Sequence, residues 1–353
     1  MEPASGVTLF WGENAQGKTN LLEAVYYLVT GRSFRTRQDR ETLPWGASPD
    51  AVSTIQGTVQ TPSSTYRITV AISKNRKCVS CNEKTLSSLG LLWGKMNAVL
   101  FTPDDLDIVK GPPGLRRRFL DMEGSQIDHS YLYHLQRYNQ VLRQRNALLK
   151  TDVEMEGFSE TLDVWDEQMA KPAVEIFLFR KRFLEQMAEA ARETYTRITD
   201  STELLDLSYE HFLKPNQPDN NKPTLEALYK KELRRHRAED VYRGVTGCGP
   251  HRDDFRILIN DQDSRTYGSQ GQQRSAMIAL RLAEIDLMRK YTGHTPLLLL
   301  DDVASELDEG RRRRFLALLN PELQTFITGT DADTFRGELP VEKSFHIHDG
   351  AIL

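Results

Sequence analysis

The chain has 353 residues, 39% of them hydrophobic and 27% charged, with a formal net charge of −4. These values suit roughly two globular domains with apolar cores, and no apolar run approaches the roughly 20 residues that span a bilayer. Three cysteines exclude a disulfide framework and point to a reducing, cytoplasmic setting; any nucleic-acid partner has to be met by local basic patches, since total charge does not announce one.

Val7 to Phe10 reads as a short buried strand, and Leu21, Leu22, Val25, Leu28 and Val29 recur at helical spacing up to Thr30. Residues 51 to 110 read as β-structure: Tyr66 to Ile72 alternates, Lys74-Asn75-Arg76 turns, and Lys77 to Cys81 returns. The lone Cys78-x-x-Cys81 pair reads as strand residues beside a turn, not a metal or redox site. From Ile127 the period becomes helical. Tyr131, Leu135, Tyr138, Leu142, Arg145 and Leu149 form one seam, and Leu162 to Met187 carry a second helix, expected to bend or restart near Pro172. Lys214 to Pro223 reads as a loop, and Thr224 is expected to cap a charged helix ending near Tyr242. Gly247 to Asp254 leads into a strand, Phe255 to Ile259. Beyond Ser269 come a helix, a buried strand Pro296 to Leu300, a helix from about Glu309 to Leu319, and a strand Thr325 to Thr328.

The segment between the first strand and the first helix, Gly12-Glu13-Asn14-Ala15-Gln16-Gly17-Lys18-Thr19, matches G-x-x-x-x-G-K-S/T. Strand, glycine loop, helix is the setting in which backbone N–H groups cradle a nucleotide's phosphates, with Lys18 on the β- and γ-phosphates and Thr19 on Mg²⁺. Four leucines before Asp301 and Asp302 form a strand buried on both faces, placing a carboxylate where α/β sheets bind ligands. Asp301 is thereby read as a second Mg²⁺ ligand and Asp302 as the group that polarises the attacking water, with helix capping as its bland alternative. Ser269-Gln270-Gly271-Gln272 opens a helix, and a hydroxyl, a glycine and free N–H groups there can receive an anion or simply cap the helix. Three basic runs stand out, Arg116 to Arg118, Arg234 to Arg237 and Arg311 to Arg314; each taken alone reads more readily as a solvated helix face.

The order of these parts resembles that of ABC-type ATPases, with Ser305-Glu306-Leu307-Asp308 like the loop that crosses their dimer interface. More closely, the chain resembles the RecF family, bacterial recombination mediators related to the heads of SMC proteins. The resemblance rests on Gly12 to Ala24, Phe101-Thr102-Pro103-Asp104-Asp105-Leu106 with Lys110-Gly111, Arg116 to Asp121, Gly249-Pro250-His251-Arg252-Asp253-Asp254, Tyr267 to Arg274, and Leu298 to Asp308. It implies an α/β fold, an ABC-type (SMC-like) ATPase head split into residues 1–120 and 246–353 around a helical arm, 121–245. It also implies ATP and Mg²⁺ as cofactors, bound by Gly12 to Asn20 with Thr19 and Asp301 on the metal. Ser269, Gly271 and Gln272 would contact the nucleotide of a second copy, and Lys18, Asp302 and Ser269 would act in slow, DNA-stimulated hydrolysis.

The implied partners are double-stranded DNA and single-strand/double-strand junctions, RecR with RecO, and a second copy of the chain, with RecA loading as the outcome and no membrane. Arg143, Arg145, Arg234 and Arg235 are the candidate DNA contacts. Thr330 stands where transporter relatives carry a switch histidine. The family ordinarily has a strand or two ahead of the glycine-loop strand. About twenty residues, the length of two strands and a turn, are expected ahead of Val7, and without them ATP affinity is expected to be weaker. Two other classes compete: an ATPase subunit of an ABC-type system, and a scaffold insensitive to nucleotide.

Overall fold

The computed structural model describes residues 1–353 except 37, 62–63, 153, 200–202, 214–220, 304–306 and 320–322. In chain order the strands are β1 (Val7–Trp11), β2 (Val52–Gln60), β3 (Thr65–Ser73), β4 (Lys77–Cys81), β5 (Lys84–Thr85), β6 (Ala98–Phe101), β7 (Leu205–Glu210), β8 (Asp254–Ile259), β9 (Gln262–Asp263), β10 (Leu297–Leu300), β11 (Thr325–Gly329), β12 (Val341–His348) and β13 (Ala351–Ile352). The helices are α1 (Lys18–Thr30), α2 (Leu106–Lys110), α3 (Pro113–Ile127), α4 (His129–Leu148), α5 (Phe158–Thr199), α6 (Lys222–Arg243), α7 (Ser264–Tyr267), α8 (Gln270–Thr292) and α9 (Glu309–Ala317).

Two compact units emerge: Met1–Leu106 with Glu193–Thr202 and Arg274–Leu353, and Asp107–Arg192 with Glu203–Gln273. The sequence drew the head–arm boundaries at 120 and 246; packing draws them at 106 and 273. The reason is local. α3 lies against α4 and β8, and Arg116 on α3 grips both carboxylate oxygens of Asp254 at 2.7 and 2.8 Å.

In the first unit a six-stranded sheet runs β13-β12-β1-β11-β10-β6. β12, β1, β11, β10 and β6 are parallel, and β13 turns back antiparallel. β6 and β11 are buried throughout, as parallel strands covered on both faces must be. From α1, Leu22, Tyr26 and Val29 join Phe10, Leu100, Leu299, Phe326 and Ile347 in one core. An antiparallel sheet, β2-β3-β4-β5, completes this unit. Gly57 on β2 leaves room for Leu28 of α1, whose Cδ1 would stand 2.5 Å from any Cβ there. Because the parallel strands point one way, the loops after β1, β6, β10, β11 and β12 gather at one sheet edge, where such sheets take ligands.

The second unit combines α3, α4, most of α5, α6 and the antiparallel sheet β7-β8-β9. α5 runs unbroken through Pro172, against the expected restart. A proline forfeits one N–H, but Leu162, Met169, Ala173, Ile176, Phe183 and Met187, all within 1% of full burial, carry an apolar face across it. α6 begins at Lys222, with the Asn221 side chain as its cap, accepting from the Thr224 N–H. Lys222 and Pro223 are therefore helix, not loop, and Thr224 is the receiver of the cap; residues 214–220 of the expected loop lie outside the described residues.

Gly249 shows why the Gly-Pro-His-Arg-Asp-Asp block begins as it does. At φ +125° its missing Cβ leaves space for the Tyr138 and Tyr229 hydroxyls. Tyr138 in turn meets His251 Nδ1 at 2.6 Å, and His251 Nε2 lies 3.0 Å from the Thr246 carbonyl. With Nε2–H donating to that carbonyl and Nδ1 accepting from Tyr138, the ring is neutral. Burial lowers its pKa from 6.5 to about 4, countered by the Thr246 carbonyl and reinforced by Arg252, Arg117 and Arg145. Between those values the unfolded chain binds a proton that the folded chain refuses. Stability is therefore expected to fall as pH drops through that window, by up to about 3 kcal/mol. Urea titrations at pH 7 and pH 4.5 should show this, and His251→Asn should reduce the difference; an unchanged difference would clear His251.

Candidate functional site

β1 delivers Gly12 to the sheet edge and α1 starts at Lys18. Between them Ala15 (φ +65°) and Gly17 (φ +100°) take left-handed conformations, which curl the chain into a loop; glycine does so freely, alanine at a cost. Lys18 Nζ donates to the carbonyls of Gly12 at 2.6 Å and Glu13 at 2.7 Å. Burial lowers its pKa, while Asp302 and Asp301 oppose that shift. Among the described residues the ammonium thus hydrogen-bonds to two neutral carbonyl oxygens of the loop.

Thr19 Oγ1 donates to Asp301 Oδ1 at 3.0 Å, joining the two ends of the sequence. Thr328, at the end of β11, donates to the same oxygen at 3.1 Å and accepts from the Asp302 N–H at 2.8 Å. Burial raises the Asp301 pKa, the Thr19 and Thr328 hydrogen bonds pull it back, and Asp302 raises it again. A hydroxyl and a carboxylate oxygen at this spacing are a donor pair that a hard divalent cation accepts. Thr19 and Asp301 therefore fit Mg²⁺, and Gly12 to Asn20 fit the phosphates beside it. Asp302 is exposed and held at φ +52°, an uncommon conformation for a residue with a side chain and one concentrated at functional positions.

Sequence reasoning missed three participants. Thr328, which braces both aspartates, was read only as strand. Arg35 bonds Asn20 Oδ1 at 2.8 Å and opposes the rise of the Asp301 pKa. The third is a relay through the Phe101–Asp105 block. The Phe101 carbonyl accepts the Asp301 N–H at 2.9 Å, Asp105 accepts the Thr102 N–H at 2.8 Å, and Arg281 of α8 reaches Asp105 at 2.5 Å and Glu284 at 2.8 Å. A buried arginine twelve residues past Ser269 on the same helix was the available signal.

Ser269, Gly271 and Gln272 belong to the second unit. There Ser269 Oγ accepts the Gln272 N–H at 3.2 Å, and Gln272 Oε1 accepts the Ser269 N–H at 2.8 Å. This reciprocal pair is a capping box, so the bland reading of Ser269 holds within one chain. Ser305 and Glu306 lie outside the described residues; Asp308 caps α9 by accepting the Arg311 N–H at 3.0 Å. Thr330 is exposed just beyond β11.

Of the DNA-contact candidates, Arg145 is overturned. It is fully buried and held by Asp166, Asp240 and Thr246 at 2.7 to 2.8 Å. Arg143, Arg234 and Arg235 are exposed, Arg235 with Glu232 at 2.8 Å. The other runs are largely spoken for: Arg116 by Asp254, Arg312 by Glu338 and Arg313 by Glu309. No helix among the described residues is long and apolar enough to cross a membrane.

Residues 1–348 match the RecF/RecN/SMC N terminal domain. The DNA replication and repair protein RecF of Pediococcus pentosaceus is 38% identical over 358 residues, covering 100% of this chain and 94% of that protein. Its namesake from Enterococcus faecalis is 38% identical over 348 residues, with 98% and 92% covered. Among solved structures, the recombination mediator protein RecF-ATP in the RecFOR pathway superposes with a TM-score of 0.90 at 34% identity, over 100% of this chain and 92% of that one. An Smc head domain from Pyrococcus furiosus, at TM-score 0.52 and 14% identity over 100% of this chain and 90% of that one, shares the fold alone. The chain belongs to the RecF family of DNA replication and repair proteins, within the wider RecF/RecN/SMC group.

Proposed function

We propose that this RecF-family chain is an ATP-operated DNA clamp. The Gly12–Asn20 loop binds ATP with Mg²⁺, a second copy closes on the nucleotide through its Ser269, Gly271 and Gln272, and the closed pair grips double-stranded DNA at single-strand gaps. Slow, DNA-stimulated hydrolysis reopens it. Within this reading the chain works in the cytoplasm with RecO and RecR to promote RecA loading.

The observation that carries the proposal is the Thr19–Asp301 hydrogen bond, which joins the loop and the acidic strand end into one Mg²⁺-fitting pair. Lys18 leaves the Gly12 and Glu13 carbonyls for the phosphates. The metal, when bound, neutralises phosphate charge. Asp302, exposed beside Asp301, orients and polarises the attacking water. Ser269 releases Gln272 and turns its hydroxyl and helix N–H groups to the partner's phosphate. Arg143, Arg234 and Arg235, exposed on the helical unit, supply phosphate contacts whose strength falls steeply with salt.

The test is sedimentation and duplex-DNA binding, each with ATP, with ADP and without nucleotide. ATP should convert monomer to dimer and tighten DNA binding, and ADP should do neither. Dimerisation and DNA binding indifferent to nucleotide would leave the scaffold reading in its place.

A further inference from the structure

β1 and α1 do not by themselves explain how the phosphate loop keeps its shape. Ala15 sits at φ +65°, a left-handed conformation that a residue with a Cβ adopts at a cost, and such a residue persists only where its surroundings over-determine it. The next residue, Gln16, is held twice. Its carbonyl accepts the Gly350 N–H at 3.0 Å, and its side-chain Oε1 accepts the Asp349 N–H at 2.7 Å. Both donors belong to the two-residue turn between β12 and β13, where Asp349 (φ +47°) and Gly350 (φ +74°) are both left-handed, the mirror-image turn that suits a tight hairpin.

The glycines at both ends of the loop meet the same hairpin. A Cβ on Gly12 would collide with the Ile347 carbonyl oxygen, and one on Gly17 would lie 3.2 Å from the Gly350 Cα. On the preceding strand, Trp11 stacks on His346 with ring centroids 4.0 Å apart. The loop is thus seated on the hairpin at its start, middle and end.

We propose that the Asp349–Gly350 turn presets the phosphate loop, making Gln16, Asp349 and Gly350 positioning residues for nucleotide binding. The sequence assigned Gln16 to the nucleotide; here its amide oxygen and carbonyl are committed to the turn, and it acts through the loop's shape. This role also gives Gly12 and Gly17 a reason to be glycine independent of the phosphates. The proposal rests on the reading of the loop as an ATP site, and preorganisation is what it contributes: the free loop already holds its strained conformation, so binding does not have to impose it.

The experiment is equilibrium titration of the full chain with a fluorescent ATP analogue, paired with thermal melting without ligand. Gly350→Val places a β-branched residue at φ +74°, where it is a poor fit, and should weaken binding about tenfold, the equivalent of about 1.4 kcal/mol. Gln16→Ala, which removes the Oε1 bond to the Asp349 N–H, should weaken it comparably, and the double variant no further than the worse single, because both loosen the same seat of the loop on the turn. Gly350→Asn should bind nearly as wild type, since asparagine tolerates this conformation and a Cβ at Gly350 meets nothing within 4 Å. Ligand-free melting should separate Gly350→Val from Gly350→Asn far less than ATP affinity does. Wild-type affinity in Gly350→Val, or losses that multiply in the double variant, would overturn the proposal. Should Gly350→Val fail to fold, Gln16→Ala with Gly350→Ala repeats the cycle. If Lys18→Met bound the analogue as tightly as wild type, the ATP-site reading itself would fall, an outcome distinct from failure of the turn.

Discussion

Lys18→Met is expected to abolish ATP binding and with it ATP-driven self-association, whereas Ser269→Arg should leave ATP binding nearly intact and still block association and hydrolysis. The contrast follows from which copy each residue serves. Lys18 lies on the loop of its own chain, 2.6 Å from the Gly12 carbonyl, and removing its charge removes the phosphates' principal counter-charge there. Ser269 belongs to the other compact unit, where its hydroxyl accepts the Gln272 N–H. An arginine in its place costs a helix cap, a matter of about 1 kcal/mol, and fills the space a partner's phosphate would need. The expected fall in turnover for Ser269→Arg is at least about 100-fold, the size of effect seen when a charge-stabilising donor is lost. Calorimetry with ATP and sedimentation of each variant separate the two residues. Equal loss of nucleotide affinity in both would contradict a site shared between copies.

The parts of the site that were legible in the sequence are those with a recognisable spacing. Gly12, Gly17, Lys18 and Thr19 follow the glycine-loop pattern between a strand and a helix, and the apolar run before Asp301 announces a strand buried on both faces. Tertiary partners left weaker traces. Arg145 was read as a DNA contact because arginine is so often one, yet it occupies the same helical seam as Tyr131 and Tyr138, both buried, and the seam was the better guide. The Arg116 run hid helix α3 in the same way: its charge suggested surface, but Arg116 is buried against Asp254. Asp349-Gly350 between Ile347 and Ala351 is a strong two-residue hairpin signal, and the strands either side of it went unread. What no local pattern could show is that this hairpin lies beneath the phosphate loop, since that follows from β12 pairing with β1 across the length of the chain.

Arg145→Met is expected to destabilise the helical unit by about 3–5 kcal/mol, the cost of leaving a buried carboxylate without its cation. Arg145 ties three helices: it rises from α4, bonds Asp166 of α5 at 2.7 Å and Asp240 of α6 at 2.8 Å, and adds the Thr246 hydroxyl at 2.8 Å. Arg237 holds the other oxygen of Asp166 at 2.7 Å, so one charge lost leaves Asp240 facing burial that already raises its pKa, with Arg145 the principal group opposing that rise. For a unit of this size the loss should appear as a melting temperature lower by roughly 10 °C. Asp166→Asn combined with Asp240→Asn should recover part of it, because the variant then buries neutral groups in place of unpaired charges. The same substitution will also weaken DNA binding, and that loss has to be read through stability. Arg143→Ala and Arg234→Ala, on exposed positions, should leave melting unchanged and lower the salt dependence of DNA binding by about one counterion each. If Arg145→Met melted as wild type while losing DNA affinity with such a reduced salt slope, its side chain would be a phosphate contact after all and the three-helix tie would not matter to stability.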